Sequence, residues 1–169
     1  MENKQLAHSD FEAVNKKLPF CFLANDILVP MNVGSLFRIA DALGISKIYL
    51  CGSTPTPPNS KINKTARSTV KVVDYEYKQS AVETVNILKE EGYIIVSLEL
   101  TNNSIDLADY QILNDQKICL IIGAESEGVH ADLLKLSDQV VHIPMLGLNS
   151  SMNVATATAI AAYEIAKQF

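Results

Sequence analysis

The chain has 169 residues, a formal net charge of −5 and a hydrophobic content of 48%. A domain of this length buries a sizeable core by itself, which excludes a fold that depends on metals or disulfides. The three cysteines, Cys21, Cys51 and Cys119, lie in apolar runs without paired spacing. We therefore expect reduced core thiols and no metal site.

The two ends of the chain bear on its location. The polar start Met1–Leu6 contains no apolar signal region, and no targeting segment follows it. The long uncharged stretch near the C-terminus contains Pro, Gly, Asn and Ser, which disfavours a membrane span. We expect a cytoplasmic protein made of one domain over residues 1–169, in which residues 1–19 form a helical extension.

In the first half of the chain, apolar runs alternate with helical stretches. Phe20–Ala24 is predicted to form a strand, Gly34–Leu43 a helix that ends at Gly44, and Lys47–Cys51 a second strand. These three elements make a βαβ unit. A capping box that starts at Ser80 opens the next helix, which ends before a strand at 93–98. Three side chains of this helix are expected to face inward: Val82, Val85 and Leu88.

The second half of the chain continues the alternation. Lys117–Ile122 and Gln139–Ile143 are predicted to be strands, Ala131–Leu136 a short helix between them, and a last helix runs to about Lys167. Because the strands lack polar alternation, the fold class is α/β, with a mostly parallel sheet and helices on both faces.

The segment Ser60–Lys71 contains four cations and no acidic residue. It follows the Pro-rich loop Ser53–Ser60, which has the composition of turns. Local positive charge of this kind can contact RNA phosphates although the whole chain is acidic. A solvated surface face is the open alternative. The four cations are Lys61, Lys64, Arg67 and Lys71.

Unusual residues follow three of the predicted strands, at Asn25–Arg38, Gly123–Gly128 and Pro144–Asn153. Open α/β sheets bind ligands beyond the carboxyl ends of their strands. We therefore expect the three segments to lie near one edge of the sheet.

The first segment places Asn32 as a helix N-cap and Gly34 where a partner element can approach the first turn. Arg38 lies one turn after Gly34; a surface pair with Asp41 is the alternative to a functional role.

The second segment, Gly123-Ala-Glu-Ser-Glu-Gly128, is not a dinucleotide-binding fingerprint, because Glu125 occupies the middle position. A carboxylate directly after an apolar strand can orient an arginine, hold a ribose hydroxyl or cap the next helix.

The third segment combines a sharp turn with a helix of small residues. Pro144 ends the strand, and Gly147 permits a turn. Ser150 and Ser151 are predicted to cap the final helix. Its many alanines suit either a crowded interior or a dimer interface, and an ordinary buried C-terminal helix is equally compatible with this segment alone.

Together these segments resemble the SpoU/TrmH family of RNA ribose 2′-O-methyltransferases, in the SPOUT superfamily, from about Phe20 to the C-terminus. The family's Asn-x-Gly-x-x-x-Arg-x-Ala, Gly-x-Glu-x-x-Gly, Ile-Pro-Met and Ser-Leu-Asn-Val motifs all have counterparts. The matching residues are Asn32, Gly34, Arg38 and Ala40; Gly123, Glu125 and Gly128; Ile143, Pro144 and Met145; and Ser151, Met152, Asn153 and Val154. Met152 stands where the family has Leu, which conserves volume.

The resemblance implies a C-terminal deep trefoil knot, although general connectivity rules disfavour knots. It also implies an obligate homodimer whose site combines both subunits, and S-adenosylmethionine as the cofactor, without a metal. The expected cofactor-binding residues are Leu98, Gly123, Ile143, Ser151 and Met152.

For catalysis, the resemblance assigns Arg38 the central part. Because arginine does not give up its proton in proteins, we expect Arg38 to position the 2′-hydroxyl and stabilise the developing alkoxide rather than act as a base. Asn32 would orient Arg38 or the ribose, Glu125 would hold the arginine network, and Asn153 would fix the loop and its ligand.

The expected activity is methyl transfer to a ribose 2′-hydroxyl, with tRNA favoured over rRNA because compact relatives often act on tRNA. Three alternatives remain. They are an rRNA enzyme of the same family, a base-nitrogen methyltransferase of the same fold, and an inactive RNA-binding or assembly protein. The motif that contains Asn32 and Arg38 argues against the base-nitrogen enzyme.

Overall fold

Within the residues that the structure describes, which are 3–5, 7, 10, 12, 14–113 and 115–169, the computed structural model has seven strands in one sheet. All pairings between these strands are parallel. The strands are β1 (Leu18–Asn25), β2 (Ile45–Cys51), β3 (Asp74–Lys78), β4 (Tyr93–Leu98), β5 (Ile105–Asp106), β6 (Lys117–Ile122) and β7 (Gln139–His142).

Helices cover both faces of the sheet. They are α1 (Pro30–Leu43), α2 (Ser60–Ala66), α3 (Ala81–Glu90), α4 (Ala131–Leu136) and α5 (Val154–Ala166). One core lies between the sheet and α1, α2 and α5, and a second lies between the sheet and α3 and α4. The three cysteines are buried in the second core. The prediction of a mostly parallel α/β sheet is confirmed.

The strand order is β3-β2-β1-β6-β4-β7-β5. It places β1, β6, β4 and β7 next to one another, although they are far apart in the chain. Because all strands are parallel, the segments that follow β1, β6 and β7 leave the sheet at the same edge. The three unusual segments therefore meet, as predicted.

Helix α1 begins four residues before the predicted start. Pro30 occupies its first turn, where a missing N–H costs nothing, and Val29 is its N-cap. The prediction of Asn32 as N-cap is wrong, since Asn32 lies inside the first turn. Gly44 ends the helix as predicted, with φ 68° and its N–H directed at the carbonyls of Ala40 and Asp41.

Helix α5 begins later than predicted. Asn153 is its N-cap and accepts hydrogen bonds from the N–H groups of Ala155 and Thr156. The assignment of the cap to Ser150 and Ser151 is therefore wrong, because an asparagine nearer to the helix satisfies the same amides.

Helix α3 and its cap agree with the capping-box prediction, since the Ser80 hydroxyl accepts from the Glu83 N–H. Val85 and Leu88 face the core as predicted. Val82 is 37% exposed and does not; Thr84 is buried in its place.

Three elements lack a signal in the sequence. Helix α2 buries only Ile62 and Ala66 and depends on an Asn59 cap. Strand β3 alternates charged and aromatic residues at the sheet edge, and β5 has only two residues. Edge and short strands contain too few apolar residues to form a recognisable run.

The predicted N-terminal helix falls partly outside the described residues, and residues 14–17 are not helical. The prediction is wrong for residues 14–19, since Leu18 and Pro19 already belong to strand β1. None of the helices in the described part of the chain is long and apolar enough to cross a bilayer.

Candidate functional site

A hydrogen-bond network joins the three strand-end segments through Asn32. Its Nδ2 donates to Oε1 of Glu125 at 2.8 Å, and its Oδ1 accepts from Nδ2 of Asn153 at 3.1 Å. Asn32 is 8% exposed, so its amide is almost completely enclosed by these partners. One side chain of α1 therefore ties the loop after β6 to the start of α5.

Glu125 also binds the loop between β1 and α1. Its carboxylate accepts from the N–H groups of Leu28 at 3.0 Å and Val29 at 3.2 Å. Partial burial raises the pKa of Glu125, but hydrogen bonds from Asn32 and the backbone outweigh burial and leave this pKa below its usual value. Glu125 is thus a carboxylate that holds the first turn of α1.

Asn153 has two functions in one position. Its Oδ1 caps α5, and its Nδ2 binds Asn32. The start of the C-terminal helix is consequently coupled to the first motif, which lies more than a hundred positions earlier in the chain.

A cavity of about 630 Å³ lies beside this network. It is formed by the segments that follow β4, β6 and β7 together with the beginning of α5. All five predicted cofactor-binding residues line it: Leu98, Gly123, Ile143, Ser151 and Met152. Glu125 and Asn153 line it as well, whereas Asn32 and Arg38 do not.

The wall of the cavity at residues 123–128 is a tight loop. Ala124 and Gly128 exchange two backbone hydrogen bonds, at 3.0 and 2.9 Å. A Cβ on Gly123 would collide with the backbone of Gly128 and Val129. A glycine is therefore required here, because only the absence of a side chain lets the two backbone segments touch.

Glu99 is a site residue that the sequence reasoning missed. Its carboxylate accepts from the N–H groups of Leu100 and Val129, both at 2.9 Å, and it lines the cavity. It also occupies the space where a Cβ on Gly128 would lie. The sequence contained a signal for Glu99, since this residue directly follows an apolar strand. Glu125 was recognised because it follows an apolar strand in a similar way.

Arg38 lies on the exposed surface of α1, outside the cavity. It forms no hydrogen bond or ion pair with any residue in the described ranges, so neither Glu125 nor Asp41 holds it. Within the described part of this chain the partners of the Glu125 carboxylate are Asn32 and two backbone amides, so the expected contact between Glu125 and Arg38 is absent there.

The four cations of the Ser60–Lys71 segment are also exposed. Lys61 and Lys64 lie on α2, Arg67 directly follows it, and Lys71 ends a 3₁₀ turn. Helix α2 packs closely on α1 at Gly34, where an added Cβ would approach Cβ of Thr65 to 2.7 Å. The predicted close approach at Gly34 is confirmed, and it places the basic segment on the same side of α1 as Arg38.

Residues 19–163 match the model of the SpoU rRNA Methylase family. The chain belongs to this family. The match covers six of the seven strands and four of the five named helices completely, and it covers all of β1 except Leu18 and the first ten residues of α5. It includes Asn32, Glu125 and Asn153, which form the network at the carboxyl edge of the sheet.

Individual SpoU-family relatives are distant. The chain is 28% identical over 172 residues to an uncharacterized tRNA/rRNA methyltransferase of Borreliella burgdorferi, covering 99% of this chain and 74% of that protein. It is 29% identical over 150 residues to the 23S rRNA (guanosine-2′-O-)-methyltransferase RlmB of Escherichia coli K12, covering 89% of this chain and 60% of that protein.

The same fold occurs in solved SpoU structures. The crystal structure of the SpoU methyltransferase AviRb from Streptomyces viridochromogenes, in complex with AdoMet, matches with a TM-score of 0.81 at 24% identity. That match covers 96% of this chain and 64% of AviRb. The chain thus spans about two thirds of the length of these relatives.

Proposed function

We propose that this chain transfers a methyl group from S-adenosylmethionine to a ribose 2′-hydroxyl of RNA, with tRNA as the substrate. One observation supports this most directly. The network of Asn32, Glu125 and Asn153 adjoins a cavity lined by all five residues that the family resemblance implies for the cofactor.

The residues of the cavity fit S-adenosylmethionine. The volume of the cavity, about 630 Å³, lies in the usual range of small-molecule sites. The tight loop at Gly123 brings bare backbone to the cavity wall, so peptide groups rather than side chains can contact a ligand there. Leu98, Gly123, Ile143, Ser151 and Met152 would hold the cofactor, which supplies an electrophilic methyl group.

Arg38 would bind the acceptor RNA. Its guanidinium stays charged and has no partner among the described residues, so it is free to contact a ribose hydroxyl and the adjacent phosphate. A fixed positive charge at that position would stabilise the ribose oxygen as it passes its proton to water and bonds to the methyl carbon, with S-adenosylhomocysteine as the leaving group. Asn32 and Glu125 would hold the first turn of α1, the helix on which Arg38 lies.

A second copy of the chain would complete the site. Arg38 does not line the cavity of its own subunit. In a homodimer in which Arg38 of one copy faces the cavity of the other, the arginine and the bound cofactor would lie in the same site. Exposed apolar side chains offer surface for such a contact. They include Leu28 and Met31 at the start of α1, Leu146 and Leu148 in the loop after β7, and Ile160 and Tyr163 on α5.

The C-terminal trefoil knot also belongs to the proposal. Helix α5 follows β7, yet it packs against α1 and β6, which lie on the far side of β4. This return of the chain end is compatible with threading through a loop. An experimental trace of residues 117–169 tests it.

The choice of tRNA comes from the resemblance to the SpoU/TrmH family, some of whose members act on tRNA. The reaction would take place in the cytoplasm. Ribosomal RNA is the second candidate, because RlmB, a sequence relative at 29% identity, is named as a 23S rRNA enzyme. Incubation of the purified protein with radiolabelled cofactor and separated tRNA and rRNA fractions distinguishes the two.

The chemistry of the product tests the activity itself. A 2′-O-methyl group blocks alkaline cleavage of the adjacent phosphodiester, so the label is expected in alkali-stable dinucleotides. Label in ordinary mononucleotides indicates base methylation and contradicts the proposal. Retained RNA affinity without cofactor binding supports the inactive binding protein instead.

A further inference from the structure

Two tyrosines lie on the outermost strand of the sheet, on the face covered elsewhere by α1 and α2. Tyr75 is in register with Ile48 of β2, and Tyr77 with Leu50. Ile48 and Leu50 both point into the core beneath α1. Residues two apart on a strand share a face and lie roughly 7 Å apart, so the two tyrosine rings lie next to each other on the same face of the sheet.

Both rings are exposed but held in place. Tyr75 is 37% exposed and packs edge-to-face against Phe37 of α1, with centroids 5.2 Å apart at 80°. Tyr77 is 50% exposed, and its hydroxyl donates to the Gly52 carbonyl at 3.0 Å. A ring fixed by such contacts loses little conformational entropy when a second flat molecule stacks on it.

Positive charge adjoins the tyrosines. Lys71 lies three positions before β3, and Arg38 directly follows Phe37, which touches Tyr75. Helix α2 packs on α1 at Gly34, so the cations of α2 add further positive charge beside α1. None of these cations is paired with an acidic residue within the described part of the chain.

We infer that Tyr75 and Tyr77 form a stacking platform for unpaired RNA bases, with the flanking cations holding the phosphates. Aromatic rings beside unpaired cations are the pair of features that bind single-stranded nucleic acid. Bases inside a duplex are already stacked on one another and cannot use such a platform. The inference deepens the proposed function: the acceptor ribose would lie in a loop or other single-stranded segment.

The test uses the full chain and two labelled probes, a single-stranded oligoadenylate and a fully paired RNA duplex of equal length. Tyr77→Ala is expected to weaken oligoadenylate binding roughly 5- to 100-fold and to leave duplex binding nearly unchanged. Tyr77→Phe keeps the ring and is expected to bind oligoadenylate like the unaltered protein. Tyr75→Ala is expected to behave similarly, with thermal unfolding measured because it also loses the contact with Phe37.

Intrinsic fluorescence provides a second readout, since the chain has six tyrosines and no tryptophan. Stacked bases should quench part of the tyrosine emission when oligoadenylate binds. The double variant Tyr75→Phe, Tyr77→Phe should bind normally and lose that quenching.

Three results would overturn the platform: unchanged oligoadenylate affinity in both alanine variants, equal losses for the two probes, or a change in oligomeric state that accounts for the loss. The last result would mean that the β3 edge contacts another protein chain. Methyl transfer is scored separately. A protein that stacks RNA on these tyrosines without transferring methyl groups refutes only the proposed function, and an active enzyme indifferent to both tyrosines refutes only the platform.

Discussion

At the scale of single residues, the site depends on which polar groups are already occupied. Asn32, Glu125 and Asn153 satisfy one another, so they hold backbone segments in place. Arg38 and Glu99 differ from each other in whether their polar groups already have partners. Glu99 is bound to two amides, whereas Arg38 has no partner in the described ranges and is available to a substrate.

Arg38→Ala is expected to lower the single-turnover rate of methyl transfer roughly 100- to 1,000-fold, because it removes the charge that stabilises the reacting oxygen. Cofactor affinity should change little, since Arg38 does not line the cavity of its own subunit and its proposed contact is with the RNA. Rapid-quench kinetics and calorimetry measure the two quantities. Asp41→Ala, one turn away and also exposed, is the control. A near-normal rate in Arg38→Ala would contradict the assigned role.

Glu125 makes the stability of the fold depend on pH. Its pKa is lowered on folding, so the stabilisation is fully present above the unfolded value near 4.5 and is lost as pH falls through the folded value. Glu125→Gln should cost about 1 kcal/mol of unfolding free energy near neutral pH, since the carboxylate is mostly exposed, and less in acid. Urea denaturation between about pH 6 and pH 3 measures this difference.

The neighbouring carboxylate provides the control for that experiment. Glu127 is exposed and has no hydrogen-bond partner among the described residues. Glu127→Gln should therefore leave stability unchanged over the same pH range. If Glu125→Gln and Glu127→Gln behave alike, the network does not stabilise the fold.

At the scale of elements, α1 connects the parts of the site. Its first turn binds Glu125 through Asn32, its middle packs on α2 at Gly34, and Phe37 touches β3. The helix thereby places the basic segment and the tyrosines on one continuous side. This arrangement depends on the absence of a side chain at Gly34.

Gly34→Ala is expected to destabilise the protein by about 1–3 kcal/mol, although alanine normally favours a helix. The added methyl would approach Cβ of Thr65 to 2.7 Å and the carbonyl oxygen of Ile62 to 2.8 Å. Chemical denaturation measures the change. Ala42→Gly, at an exposed position of the same helix, is the control and measures only the difference in helix propensity between alanine and glycine. Stabilisation by Gly34→Ala would show that α1 and α2 do not pack as described.

At the scale of the whole molecule, the proposed site needs two copies of the chain. Arg38→Ala and the cavity variant Gly123→Ala should each be inactive alone, for different reasons. When they are mixed and refolded together, heterodimers contain one intact pair of Arg38 and cavity. Activity should then recover to about a quarter of the unaltered level. No recovery, with heterodimers demonstrated by tagged copies, would place Arg38 and the cavity of one subunit in the same site.

Much of this fold was predictable because local signals were strong. Strands β4 and β6 and helix α4 have the bounds that were predicted for them. Strand β3 was not predictable, since an edge strand buries too little to need an apolar run. The caps of α1 and α5 were misplaced because several residues nearby could serve, and only packing selects among them.

The sequence by itself determined the α/β class, most strand positions, the three motif segments and the family. The class, the strands and the motif segments depend on periodicity and on residues close together in the chain, and the family rests on the resemblance of the three motifs. The tertiary structure decided that β6 lies between β1 and β4, that Glu125 binds Asn32 instead of Arg38, and that Tyr75 and Tyr77 lie on the face of the sheet that α1 covers. These facts depend on contacts between segments far apart in the chain, whose energies no local pattern records.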